Sequence, residues 1–169
     1  MPLTSKVTVE VAATHVSLLD LANATVPLSV ARAIALADGT GLGQADRIFH
    51  DRRTLAASAN EDLDLAGVLT DAFGAVITFA RIKALLIAAD PGNTNNVIVG
   101  NAATNGFISW VGAATHTVTV RPGGLLLLLA AADVTAYAVT AATADLLRVA
   151  NSGAGTSVTY DVVLIGASA

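Results

Sequence analysis

Short aliphatic and β-branched runs, broken by Gly, Asn, Asp and Pro, recur along most of the chain, which is a strand-and-turn grammar. Lys6 to Val11 alternates cleanly, with Val7, Val9 and Val11 on one face and Lys6, Thr8 and Glu10 on the other. Leu28, Val30, Ile34 and Leu36 continue such a pattern among small alanines, and Arg32 interrupts their apolar face. A helix starting near Thr25 with Pro27 in its first turn is the competing reading of that stretch. Further strands are expected at 46–57, 62–66, 76–80, 82–88, 96–99, 117–120, 125–130, 137–140, 146–149 and 158–165. Strands at intervals of about 8 to 12 residues favour an antiparallel sandwich or barrel over βαβ units.

The turns between these runs have recognisable chemistry. Asp90-Pro91-Gly92-Asn93 and Arg121-Pro122-Gly123-Gly124 pair a residue that presets φ with one that tolerates positive φ. Three glycines within Asp38-Gly39-Thr40-Gly41-Leu42-Gly43 predict a flexible turn separating residues 1–43, an N-terminal arm, from a body over 44–169. Leu125 to Leu129 does not alternate at all. Both faces of that strand are therefore expected to be buried, in a central position. No repeat with a period of 20–50 residues is present, which excludes a solenoid.

Composition sharpens this picture. Of the 169 residues, 54% are hydrophobic and only 13% are charged, against about 25% in ordinary soluble domains. With so little charge for a polar skin, part of the surface is expected to be covered by other subunits. Mean hydropathy is +0.66, yet the longest apolar run, Leu125 to Ala132, is far below the roughly 20 residues of a membrane-spanning helix. No membrane association and no secretory leader are expected, and Asn23-Ala24-Thr25 is read as a chance acceptor sequence. A net charge of −4, with Lys6 and Lys83 as the lysines, argues against nucleic-acid binding. There is no cysteine, hence no disulfide, thiolate metal site or cysteine nucleophile.

Candidate chemistry is sparse. Gly39 to Gly43 lacks the Lys-Ser/Thr and helix of a phosphate-binding loop. His15, His50 and His116 share no ligand spacing and are expected at buried or intersubunit positions, so a cupin-type metal enzyme would need a long-range coincidence. Glu61, Asp62 and Asp64 form the densest acidic patch, for which a solvated strand edge is a stronger reading than a calcium site. No serine lies in a Gly-x-Ser-x-Gly or Ser-x-x-Lys setting. No catalytic, cofactor-binding or metal residues are assigned, and the chain is not read as an enzyme.

The run from Gly39-Thr40-Gly41-Leu42-Gly43-Gln44-Ala45-Asp46 through Arg53-Thr54-Leu55, Leu63-Asp64-Leu65, Asp71-Ala72-Phe73-Gly74 and Phe79-Ala80-Arg81-Ile82-Lys83 resembles small virion structural proteins of tailed bacteriophages. Gly92 to Val97, Arg121 to Gly124 and Tyr160 to Gly166 fit the same resemblance. It implies an all-β, antiparallel, jelly-roll-like sandwich with an N-terminal arm, present in many copies in a particle assembled in the bacterial cytoplasm. Within that group the expected role is a head decoration (cement) protein, binding the major capsid protein and copies of itself as a homodimer or homotrimer, without cofactor. The alternative is a tail or adsorption-apparatus protein, with a host glycan as ligand. In the cement reading, Lys6, Val7, Thr8, Val9, Glu10 and Val11 form an intersubunit strand added to a neighbour's sheet edge.

Overall fold

The computed structural model describes residues 2–169, and among them every regular element is a strand. β4 (Arg47–Leu55), β12 (Val158–Ala167), β6 (Arg81–Ala89) and β9 (Leu125–Leu129) lie side by side in that order, with the short β10 (Tyr137–Ala138) also on β6. A second sheet has the order β5 (Asn60–Asp64), β11 (Leu146–Asn151), β7 (Val97–Gly100), β8 (Thr117–Val120). All pairings in both sheets are antiparallel. The chain is thus an all-β protein with the layers of a sandwich.

One core fills the space between the sheets. Alternation on β12 sends Val158, Tyr160, Val162 and Leu164 inward, where they meet Leu85 and Ile87 of β6 and Leu63, Val97, Val99, Leu147 and Val149 of the facing sheet. The chain crosses between sheets at β4–β5, β5–β6, β6–β7, β8–β9, β10–β11 and β11–β12. The two open sides of the sandwich are consequently lined by β4 with β5 and by β8 with β9.

Those sides differ chemically. On β4 the inward positions include Asp51 and Arg53, which blunt an edge by pointing charge inward. Arg53 Nη1 donates to Glu61 Oε2 at 2.9 Å, and its Nε lies 3.2 Å from Asp51. The hydroxyl of fully buried Tyr160 donates to Glu61 Oε1 at 2.6 Å, tying this polar seam to the core. The opposite side presents Thr117 to Val120 and five leucines, with no charged side chain on either strand.

Several expected elements change. Residues 76–80 are not a strand: they form a loop with a single bridge, Thr70 to Val76, although Ile77 and Phe79 are buried. Their alternation reflects a loop pinned over the core. The leucine strand β9 is not central but an edge strand beside β6, with Leu126 and Leu128 packed on the core and Leu125 65% exposed. Its apolar outer face is packed at Leu129 and open at Leu125 in the single chain. The expected strand at 46–57 is the shorter β4, and a two-residue strand, β3 (Gln44–Ala45), precedes it.

At Lys83 the β6–β12 register shifts, between Ile165 and Gly166. Lys83 is fully buried there, and its Nζ donates to the Asp133 carbonyl at 2.6 Å. Burial, and secondarily Arg81, push its pKa down. Gly166 is required at this shift because a Cβ would collide with the Arg81 carbonyl and the Phe79 ring.

Burial first, and the bond to Glu61 second, raise the Tyr160 pKa above its ordinary 10. The folded state therefore holds this proton more tightly than the unfolded chain. That contribution is complete below pH 10 and is lost as pH rises beyond it. Tyr160→Phe is expected to cost about 1.5–3 kcal/mol at neutral pH, since it leaves Glu61 short of a donor. In urea unfolding, the gap from wild type should narrow at strongly alkaline pH; a gap that stays constant there contradicts this linkage.

Candidate functional site

The largest exposed feature is a two-stranded ribbon. β1 (Ser5–Leu18) pairs with β2 (Asn23–Asp38) without interruption from Ser5↔Leu36 to Leu18↔Asn23, closed by the turn 19–22. The competing helix near Thr25 is replaced by strand. Pro27 is accommodated because β2 has a free edge there: β3 pairs only with Ala37 and Asp38. At about 3.4 Å per residue, a 14-residue strand spans roughly 45 Å.

Directly paired residues share a face, so the register assigns every side chain of the ribbon. One face carries Val7 with Ile34, Val9 with Arg32, Val11 with Val30, Ala13 with Leu28 and His15 with Val26. The other carries Lys6, Thr8, Glu10, Ala12 and Thr14 opposite alanines, Ser29 and Pro27. The first face is thus an apolar stripe broken by Arg32 and His15.

Only the root of that stripe is covered. Leu36, Ile34 and Val7 pack against Ala45, Ala84, Ile165, Ile48 and Leu129, on the outer face of the β4–β12–β6–β9 sheet. Leu3 N–H donates to Asp38 Oδ1 at 2.8 Å, and Gly41 N–H to Gln44 Oε1 at 2.9 Å, so the Gly39–Gly43 segment is a hydrogen-bonded turn that fixes the root. Beyond Val7 and Ile34 every ribbon residue is exposed, with Val11 at 57% and Leu28 at 52%.

The six residues expected to form an intersubunit strand all lie on β1. They are already hydrogen-bonded to β2, from Lys6↔Ala35 to Val11↔Val30, so one edge is occupied and the other is free. Val7 belongs to the root. Val9 and Val11 belong to the open stripe. Lys6, Thr8 and Glu10 lie on the polar face.

The outer face that receives the root is itself only partly covered. Its cross-strand rows run Leu129–Ala84–Ile165–Ile48, then Leu127–Leu86–Val163–His50, then Leu125–Ala88–Asp161–Arg52. The root sits on the first row. The second and third leave an apolar area bounded by the Arg52–Asp161 ion pair, whose two hydrogen bonds are 2.6 and 2.9 Å.

The remaining polar groups are engaged elsewhere. Asp62 accepts two bonds of 2.8 Å from Arg148, and Asp64 Oδ1 accepts from the Ala66 N–H, so the acidic patch is used in pairing and turn capping. A cleft of about 370 Å³ beside it is lined by Asp51, Glu61, Asp62, Asp64 and Asp71 together with Arg53. All three histidines are exposed rather than buried: His15 on the ribbon, His50 on β4 and His116 before β8. Among the described residues, no group of three His, Cys, Asp or Glu side chains is placed to hold a metal ion.

Arg52 holds the Asp161 carboxyl below its ordinary value of 3.8. Because the folded pKa is the lower one, this contribution is present above pH 3.8 and disappears as pH falls through the depressed value. Asp161→Asn is expected to cost less than about 1 kcal/mol at neutral pH, as for other exposed pairs. In thermal unfolding across pH, wild type and variant should converge in strong acid; a gap that persists there contradicts the assignment.

Compared with known proteins, the chain matches no family model, no curated protein and no solved structure.

Proposed function

We propose that this chain is a structural subunit of a virus particle, acting as a head decoration protein that grips neighbouring subunits through its ribbon. The observation that carries this reading is the apolar stripe of the ribbon, rooted in the body and exposed beyond Val7 and Ile34. Exposed apolar surface of this extent on a chain with 13% charged residues is a liability for an isolated protein and an asset in an assembly. The strand orders β4–β12–β6–β9 and β5–β11–β7–β8, with repeated crossing between sheets, fit a jelly-roll reading of the body. That agrees with the resemblance to small phage virion proteins. The partners in this reading are the major capsid protein and further copies of the chain, and the place of work is the virion.

The ribbon engages by its face as well as by the free edge of β1. A bound neighbour would complete a second layer over Val9, Val11, Leu28 and Val30, and backbone bonds along β1 would add to that.

The direct test replaces residues 8–33 by a short Gly-Asn turn joining Val7 to Ile34, which preserves the packed root. The shortened chain should unfold cooperatively with a transition close to wild type, yet fail to decorate capsids assembled from the major capsid protein of the same genome. Full occupancy of those capsids by the shortened chain would overturn the role of the ribbon. Copy number in purified particles separates head from tail: hundreds per particle are expected, whereas a small multiple of three or six would place the protein in the tail.

A further inference from the structure

We infer that the distal ribbon of one copy lies across the outer face of the β4–β12–β6–β9 sheet of a second copy, on the apolar area formed by Leu86, Leu125 and Leu127. The inference names the self-association surface within the assembly reading above, and rests on that reading. Its first support is continuity. The stripe that would make this contact already packs on this same sheet face at its root, where Val7, Ile34 and Leu36 cover Ala84, Leu129 and Ile165. The sheet face continues past the root as Leu127, Leu86, Leu125 and Ala88, and the stripe continues past the root as Val9, Val11, Val30 and Leu28. Two halves of one kind of apolar contact are therefore left open on the same chain.

Charge gives the second support. Arg32 is the permanent charge on the stripe, and its guanidinium donates to the neighbouring Ala31 carbonyl rather than to a carboxylate. The rim of the sheet face holds Asp161, Asp90 and Arg52, with Arg52 paired to Asp161, so it carries one carboxylate more than it has arginines. An arm laid along these rows brings its arginine towards this acidic rim, where Asp90 is the carboxylate outside the Arg52–Asp161 pair.

Area then sets the form of the assembly. The open stripe is about 25 Å long and about 10 Å wide, so one such contact buries on the order of 500 Å² counting both partners. Stable interfaces need about 1,000 Å² or more. The contact must be repeated, either reciprocally in a two-fold pair or around a closed ring, and both arrangements cover every arm and every sheet face.

The absence of native cysteine makes the test direct. Chains carrying Leu28→Cys and chains carrying Leu125→Cys, one set isotope-labelled, are mixed, allowed to exchange and oxidised. Both positions are exposed in the single chain, so neither change disturbs the core. A disulfide joining a labelled to an unlabelled chain through the two introduced thiols is expected, along with a solution mass of the wild type at a multiple of 16.9 kDa. Val11→Asp and Leu125→Asp, made separately, should each reduce that mass to one chain while preserving the unfolding transition. Three results would each overturn the inference: a wild type that is monomeric at high micromolar concentration, cross-links formed only between two chains that both carry Leu28→Cys, or an oligomer unchanged by Val11→Asp. A monomer that still decorates capsids would refute this interface and leave the decoration role standing; an oligomer that never binds capsids would do the reverse.

Discussion

A two-stranded antiparallel ribbon cannot bury its own apolar face, because its strands lie side by side with no second layer against them. The body of this protein solves that problem for the root of the ribbon only. Leu36, Ile34 and Val7 find a partner layer on the outer face of a sheet, and the stripe then runs on into solvent through Val9, Val11, Val30 and Leu28. Continuous backbone pairing keeps the ribbon in register, while the side chains on its apolar face beyond the root stay exposed. This imbalance between backbone pairing and side-chain burial is what distinguishes the ribbon from every other pair of strands in the molecule.

The sandwich repeats the same asymmetry. Its β4–β5 side is closed by Asp51, Arg53 and Glu61, anchored to the core through the Tyr160 hydroxyl. Inward-pointing charges of this kind discourage sheet edges from joining. The β8–β9 side carries threonine, valine and leucine, and its outer face merges with the area beside the ribbon root. One flank is thus protected against association and the other is not. Acidic groups that sequence alone could assign to a cation, Asp62 and Asp64, instead hold Arg148 and a turn amide.

Much of this was legible in the residues. Alternation of Val7, Val9 and Val11 against Thr8 and Glu10 identified an amphipathic strand, and Arg32 was readable as a break in the apolar face of its partner. The positions of most body strands followed from turn chemistry, as at Arg121 to Gly124. Pairing was not legible, because alternation specifies faces but not neighbours. The ribbon was therefore readable as a strand without being readable as a hairpin that reaches past the body. The loop at 76–80 misled because Ile77 and Phe79 are buried at strand-like spacing without a ladder. The five leucines misled for a related reason: an unbroken apolar run marks two covered faces, and in the single chain the outer face of β9 is packed at Leu129 while Leu125 is exposed.

The central claim is that the ribbon stripe is covered by another subunit in the working assembly. Amide hydrogen exchange across Val9 to Val30, followed in dilute free protein and in the assembled state, measures this most directly. The account requires fast exchange in the dilute chain, well ahead of β12, and strong protection of the same amides after assembly. Ribbon amides that exchange equally fast in both states would contradict it.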